Sequence, residues 1–162
     1  MTGWNPHRFA TDPMRILLQR VTRGSVTVDD AVIGAIGQGL VLLVGIGHGD
    51  TQPIADKMAQ KAAQLRIFND EQGKFNRSLL DVAGQAMVIS QFTLYADASR
   101  GRRPSFTEAA APELAEPLCN YFAQALRQQG VSHVATGRFG AKMHVEIYND
   151  GPVTVWLDSS TL

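Results

Sequence analysis

Residues suited to chemistry are concentrated in two short polar segments of this 162-residue chain. The first is Ser90-Gln91-Phe92-Thr93-Leu94, at the end of a nearly continuous apolar run, Ala86 to Phe92. Such a run is typical of a strand buried on both faces, and polar residues at its end bring side chains and free N–H groups to the rim of a pocket. Ordinary capping of a strand end produces the same pattern, so the pattern alone does not assign a site.

The second segment, Asn149 to Thr154, lies between two alternating runs, Lys142 to Tyr148 and Val153 to Asp158. Asn-Asp-Gly between strands is most simply a hairpin turn. However, Pro152 removes a ladder donor, which predicts an edge, a bulge or an exposed tip. A Gly-Pro peptide adopts the cis form at a cost of about 0.5–1 kcal/mol. Gly151 and Pro152 together would then present bare backbone carbonyls to a ligand.

Other catalytic arrangements are missing from the sequence. Cys119 falls on the inward side of a predicted helix, which favours a small buried hydrophobe over a nucleophile. The histidines, at positions 7, 48, 133 and 144, have no metal-ligand spacing, and the sequence predicts neither a metal site nor another cofactor. No Gly-x-Ser-x-Gly motif is present. An enzyme of this composition must work through backbone donors, positioning and the substrate's own groups.

Composition and charge limit the partners. Basic and acidic residues balance at 15 each, so no global field recruits nucleic acid, DNA is not an expected partner, and any contact with RNA must be local. A single cysteine excludes an internal disulfide and fits the reducing cytoplasm. The longest apolar run, Leu40 to Ile46, is too short to cross a bilayer, so a membrane partner is not expected.

The elements expected around the two segments define an α+β domain. Residues 1–13 have no apolar periodicity and are predicted to be a disordered N-terminal extension, with one folded domain at 14–162. Closely spaced strands from Arg15 to Ile46 predict an antiparallel meander. Helices are predicted at 53–65 and 113–129; Leu114 faces inward in the second, whose regular part begins only near Glu116 because of Pro117.

The two polar segments together resemble the paired signature of the D-aminoacyl-tRNA deacylase (D-tyrosyl-tRNA(Tyr) deacylase) family. The resemblance extends over nearly the whole chain from Met14 and includes four further segments: Gln19 to Arg23, Arg66 to Phe68, Arg103 to Phe106 and Thr136 to Phe139. It implies a single-domain, barrel-like β core of largely antiparallel sheets with two main helices. Residues 14–162 would form the deacylase domain.

The resemblance implies a cytoplasmic homodimer that acts on the 3′ acceptor end of aminoacyl-tRNA without a cofactor. Such an enzyme removes D-amino acids from tRNA, and glycine wrongly attached to tRNA(Ala), as chiral proofreading in translation. The active site would lie at the subunit interface, where a Gly-cisPro motif enters the partner's pocket and rejects L-aminoacyl-tRNA. Two alternatives remain: an editing module for a different mischarged tRNA, and a non-catalytic RNA-binding domain, which the neutral charge disfavours.

The implied site residues fall into three groups. The catalytic group is Ser90, Gln91, Phe92 and Thr93; the chiral-selection group is Gly151 and Pro152; the supporting group is Arg20, Asn149, Thr154 and Phe139. Phe92 has a second interpretation as a core residue, and Phe139 fits the core better than the site. We expect the Phe92 and Thr93 N–H groups to stabilise an oxyanion while the ribose 2′-hydroxyl activates water. The alternative, Thr93 as a nucleophile assisted by Gln91, lacks an evident base.

Overall fold

The computed structural model describes residues 13–162, so the predicted disordered extension lies outside the described residues except for Pro13. Residues 13–162 form eight strands and two α-helices. The strands are β1 (Arg15–Val28), β2 (Ala31–Ile36), β3 (Gly39–Gly45), β4 (Phe68–Asn69), β5 (Phe75–Arg77), β6 (Gln85–Ser90), β7 (Val134–Thr136) and β8 (His144–Asp158). The helices are α1 (Gln52–Gln64) and α2 (Pro112–Gln128), and 3-10 turns span Phe92–Tyr95 and Ser159–Thr161.

The long strand β1 organises the sheet. Its first half pairs with β3 and its second half with β2, while β8 runs antiparallel along the other edge. Because β2 and β3 both pair with β1, Gly37 and Gln38 form a kink between two strands lying end to end. The predicted meander is therefore wrong beyond its first hairpin, since the chain does not reverse direction at this glycine.

Two parallel pairings extend the sheet from β3 through β6 to β7. The extension explains the apolar run that precedes Ser90, because β6 is buried on both faces, as strands of parallel sheets usually are. At the opposite end of this series of strands, β2 approaches β7. A Cβ added to Gly34 of β2 would lie 3.2 Å from the Thr136 carbonyl oxygen of β7. The predicted barrel-like, largely antiparallel α+β fold is thus confirmed.

Helix α1 agrees closely with its prediction, and its buried stripe includes Ala55, Met58 and Ala62. Helix α2 begins at Pro112, one residue before its predicted first residue and four before Glu116, where its regular part was predicted to begin, although Pro117 lies inside it. The missing N–H of Pro117 removes only one helical bond near the first turn, a loss the helix tolerates. Leu114 is 39% exposed, so its predicted inward orientation is also wrong.

The sheet separates two apolar cores. The larger core lies between the sheet and the helices and contains Leu18, Leu42 and Phe122; the smaller core includes Val41, Met87 and Ile89 on the other face. Within residues 13–162, no helix is long and apolar enough to span a membrane. The two cores fix the ends of β3 and β6, where the first polar segment lies.

Candidate active site

A cavity of about 380 Å³ opens where the ends of β3 and β6 meet the start of α2. We call it the Ser90 cavity. Three of the four predicted catalytic residues line it, as does the predicted supporting residue Phe139, whereas Thr93 lies exposed beside it. The complete lining is Val44, Ile46, Ser90, Gln91, Phe92, Phe106, Ala109, Ala110, Pro112, Ala115, Phe139 and Gly140.

The 3-10 turn after β6 leaves two main-chain donors free at the cavity. The Gln91 main-chain N–H donates to the Val44 carbonyl oxygen over 2.8 Å, and the Leu94 N–H donates to the Gln91 carbonyl oxygen over 3.2 Å. The Phe92 and Thr93 N–H groups between them have no acceptor among the described residues. Adjacent N–H groups at the start of a helical turn point outward and can bind a developing oxyanion.

No acid or base lines the Ser90 cavity within the described chain: its lining contains no Asp, Glu, His, Lys or Cys. The Gln91 side-chain amide donates a hydrogen bond to the Thr93 hydroxyl oxygen. Because Gln91 is the donor in this bond, it does not accept the proton of the hydroxyl. A nucleophilic threonine needs an adjacent base. The arrangement therefore suits backbone stabilisation of negative charge better than attack by Thr93.

The aromatic residues of the cavity have distinct environments. Phe92 is 58% exposed, so its alternative interpretation as a core residue is wrong. Its ring packs edge-on against Phe106, with the ring centroids 5.0 Å apart. Phe139 both packs against the larger core and lines the cavity. Phe106 had no role predicted from the sequence, although the family resemblance included its segment, Arg103 to Phe106.

The second polar segment is an outward bulge within β8. This strand stays paired with β1 on both sides of the segment, with shifts of register between Gln19 and Val21 and between Val21 and Arg23. The simple hairpin-turn interpretation is therefore wrong. The Gly151–Pro152 peptide is cis, and Gly151 has a φ of +145°. Residues 150–152, which we call the Gly-Pro tip, are exposed.

The side chain of Asn149 closes the base of the Gly-Pro tip. Its amide oxygen accepts from the Val153 N–H over 2.7 Å, while its amide nitrogen lies 3.2 Å from both the Val153 carbonyl oxygen and the Thr154 hydroxyl. Gln19 donates to the same hydroxyl over 3.2 Å. Asn149 and Thr154 thus fasten the tip to β1.

Arg20 holds the tip from the other side and is only 5% exposed. Its Nε donates to the Asp150 carbonyl oxygen over 2.9 Å, and its Nη1 donates to the Ile67 carbonyl oxygen over 2.8 Å and the Asn69 side-chain oxygen over 3.2 Å. The Phe75 ring covers the guanidinium at 5.5 Å. Asn69 and Phe75 had no sequence signal, because their role arises only when the β4–β5 hairpin folds against β1.

The Gly-Pro tip and the Ser90 cavity of one chain lie at opposite ends of β3. Leu40 is paired with Arg20 beside the tip, whereas Val44 is paired with Ser90 at the cavity. Four residues of strand separate these positions by about 14 Å. None of residues 149–154 lines the cavity of its own chain.

Replacing Arg20 by leucine should lower the free energy of unfolding by about 3 kcal/mol, because the buried Ile67 carbonyl oxygen and the part-buried acceptors of Asp150 and Asn69 lose a charged donor. Urea unfolding measures this change. The matched control is Arg23→Leu, because Arg23 is exposed and lies 3.9 Å from the Tyr148 ring. It should cost less than about 1 kcal/mol. Equal stability of the two variants would contradict the role of Arg20.

Cys119 is a packing residue. It is 7% exposed, and burial raises the pKa of its thiol to about 12, so the thiolate is scarce at neutral pH. Among residues 13–162, no group of three His, Cys, Asp or Glu side chains is arranged to hold a metal ion.

This domain combines a barrel-like α+β fold, free backbone donors beside a cavity and a fastened Gly-Pro tip. Among the described residues, the lining of the cavity contains no acid–base side chain. The D-Tyr-tRNA(Tyr) deacylase family model matches residues 17–158, and this chain belongs to that family. The D-aminoacyl-tRNA deacylase of Roseiflexus sp. (strain RS-1) is 62% identical over 91% of this chain and 94% of its own length. The corresponding protein of Thermomicrobium roseum is 61% identical over 92% and 96%.

Two solved structures share the fold. The c-Myc DNA unwinding element binding protein is 42% identical, with a TM-score of 0.83 over 88% of this chain and 97% of its own. A probable eukaryotic D-amino acid tRNA deacylase is 18% identical, with a TM-score of 0.78 over 90% and 99%. The second likeness concerns the fold alone.

Proposed function

We propose that this protein is a D-aminoacyl-tRNA deacylase, a hydrolase that cleaves the ester between a D-amino acid and the 3′-terminal ribose of tRNA. The observation that carries the proposal is the Ser90 cavity, whose lining within the described residues has no titratable side chain and beside which the Phe92 and Thr93 N–H groups are free. Membership of the family supplies the substrate class. Residues 14–162 form the catalytic domain, which works in the cytoplasm as part of translation.

The proposed mechanism uses the RNA as a reactant. The Phe92 and Thr93 N–H groups stabilise the oxyanion that forms when water attacks the ester carbonyl. The vicinal ribose 2′-hydroxyl positions and activates that water, because the cavity lining offers no side-chain base. An aminoacyl ester is already activated, so this modest assistance is sufficient. Ser90 and Gln91 complete the polar rim.

Selection against L-amino acids is assigned to the Gly-Pro tip of a second subunit. Its backbone carbonyls accept from the substrate's α-amino group and occupy the position of an L side chain. A D side chain points outward and glycine has none, so glycine on tRNA(Ala) is also accepted. Rejecting L substrates by a factor of about 1000 requires about 4 kcal/mol, which overlap with a rigid backbone can supply.

The proposed homodimer is supported by an apolar face on the sheet. Leu17 is paired with Trp156 on one side and with Leu43 on the other, which places the three side chains on one face. Trp156 is 48% exposed, and the two leucines are only partly buried. Arg15 beside them donates to the Leu94 carbonyl oxygen over 3.0 Å, so this face adjoins the 3-10 turn at Phe92–Tyr95. A second copy seated there would bring its own tip toward the Ser90 cavity.

Single-turnover deacylation is the direct test of the function. D-Tyr-tRNA(Tyr), L-Tyr-tRNA(Tyr) and Gly-tRNA(Ala) are assayed side by side with the full chain. We expect hydrolysis of the first and third and protection of the second. Binding of tRNA without hydrolysis would favour a non-catalytic RNA-binding domain, and a preference for another mischarged tRNA would favour a different editing function.

Thr93→Ala should retain the deacylation rate within about tenfold, because the Thr93 N–H remains after the hydroxyl is removed. The measurement is the single-turnover rate on D-Tyr-tRNA(Tyr), with tRNA affinity measured in parallel. A loss of more than about 1000-fold at unchanged tRNA affinity, or a trapped acyl-enzyme, would establish Thr93 as the nucleophile instead.

A further inference from the structure

Three arginines lie close together in the loop that joins the 3-10 turn at Phe92–Tyr95 to α2. We call residues 98–105 the arginine loop; Arg100, Arg102 and Arg103 are all exposed. No acidic residue lies within the loop, and Asp97 and Glu108 flank it, although the whole chain has no net charge. The loop is therefore a local concentration of positive charge on a neutral protein.

The base of the arginine loop is held closed by the backbone. The Asp97 N–H donates to the Ser105 carbonyl oxygen over 2.8 Å, and the Ser105 N–H donates to the Asp97 carbonyl oxygen over 2.9 Å. The Asp97 carboxylate also accepts from the Ser99 N–H over 3.0 Å. Gly101 turns the chain with a φ of +65°. None of these bonds uses an arginine side chain, so the loop does not need the arginines for its shape.

The arginine loop ends at the Ser90 cavity. Phe106 directly follows it, lines the cavity and packs against Phe92. The next residue, Thr107, is fixed through its carbonyl oxygen, which lies 2.8 Å from Nε2 of His48. The positive charge is therefore anchored beside the entrance of the cavity.

The loop arginines differ from most other arginines in the described chain in having no internal partner. Arg15 and Arg20 bind carbonyl oxygens, and Arg77 pairs with Glu71. Within residues 13–162, the three loop guanidinium groups make no hydrogen bond or ion pair. Like charges within four residues repel one another, and folding alone gives them no compensation. An anionic ligand would supply it.

We propose that Arg100, Arg102 and Arg103 bind the phosphate groups of the single-stranded 3′ end of aminoacyl-tRNA. The inference rests on the proposed function, because an ester bound in the Ser90 cavity places the terminal adenosine at its entrance. The preceding phosphodiesters then pass over the rim that carries the arginine loop. Guanidinium groups bind phosphate oxygens in a bidentate manner, and contacts to phosphate carry no sequence information, so this site holds any tRNA. It also explains how a chain of zero net charge binds RNA.

The first test measures the affinity of the full chain for uncharged tRNA as a function of salt. In the triple variant R100Q, R102Q and R103Q, we expect affinity to fall at least about tenfold at low salt and the salt slope to decrease by about 2. The control is K57Q, K61Q and K142Q, which removes as many charges away from the cavity. Its affinity should stay within about twofold of the wild type. Equal losses in the two variants, or none in the first, would overturn the proposal.

The second test compares D-Tyr-tRNA(Tyr) with D-tyrosyl-adenosine, which has the ester but no phosphodiester. The triple variant should lose at least about tenfold in kcat/KM on the tRNA and less than about twofold on the adenosine ester. Equal losses on both substrates would show that the loop shapes the cavity, against the proposal. If the wild type cleaves neither substrate but the affinity results are as expected, the proposed function is wrong and the phosphate site remains.

Discussion

Gly151→Ala is expected to lower kcat/KM on D-Tyr-tRNA(Tyr) by about 100-fold, mainly through KM, since about 1 Å of misplacement in a positioned group has an effect of this size. The φ of +145° is one that residues with a Cβ rarely adopt. The added methyl group would lie 2.7 Å from Val153 Cγ2, 2.9 Å from the Val153 nitrogen and 3.3 Å from Arg20 Nη2. The backbone must move, and it carries the carbonyls assigned to substrate selection.

Gly130→Ala provides a matched control for Gly151→Ala. Gly130 also has a positive φ, of +110°, but its Cβ would meet only Leu80 Cδ2 at 3.5 Å, an ordinary contact. It follows the end of α2 and is outside both the cavity and the tip. Its variant should keep activity within about twofold even if it loses stability. If both variants lose activity equally, backbone strain is the cause and the tip has no special role.

Mixing two impaired variants, assayed at a substrate concentration well below KM, tests whether the tip works across subunits. Ala109→Phe fills the Ser90 cavity of its own chain, while Gly151→Ala displaces the tip of its own chain. In a mixed dimer with cross-subunit sites, one of the two sites has an intact cavity and an intact tip. Random mixing of equal amounts should restore about a quarter of wild-type activity. No restoration in verified mixed dimers would place the tip and the cavity in the same chain.

Removing the terminal ribose 2′-hydroxyl should slow deacylation by about 100- to 1000-fold, the range typical of a lost general base or oxyanion donor. The expectation follows from a cavity whose lining has no titratable side chain. D-Tyr-tRNA(Tyr) ending in 2′-deoxyadenosine is compared with the normal substrate at saturating enzyme. Uncatalysed hydrolysis of each ester provides the chemical reference.

The matched substrate control carries its 2′-deoxy substitution on the penultimate cytidine. This tRNA has the same number of hydroxyl groups removed but retains the one next to the ester, so its rate should be normal. A terminal 2′-deoxy substrate that reacts within about tenfold of the normal rate would contradict RNA-assisted catalysis. Together with a large loss in Thr93→Ala, it would favour the acyl-enzyme route.

The elements predicted well from the sequence were those with strong local patterns. The apolar stripe of α1 gave nearly the observed helix, and the run before Ser90 indicated a strand buried on both faces. The polar residues after that strand also indicated a cavity rim, where Ser90 and Gln91 now lie. In each case, neighbours in the sequence determine both the pattern and the burial.

The misread segments depend on partners far along the chain. Gly37-Gln38 and Asn149 to Gly151 both have the composition of turns. At each of them, however, the chain does not reverse direction but continues beside β1. A turn and a bulge have the same local residues, and only pairing with β1 distinguishes them. The contact of Arg20 with Asn69 likewise requires two elements 49 residues apart.

The two arginines of β1 make this strand a spacer between the Ser90 cavity and the Gly-Pro tip. Arg15 binds the 3-10 turn at Phe92–Tyr95 through the Leu94 carbonyl oxygen, and Arg20 binds the tip through the Asp150 carbonyl oxygen. Their odd separation places them on opposite faces of the strand. An insertion or deletion of one residue between them would reverse the face of one arginine and move its contact by one strand step. Substitutions at positions of β1 other than Arg15 and Arg20 therefore preserve this spacing, whereas changes in the length of the strand do not.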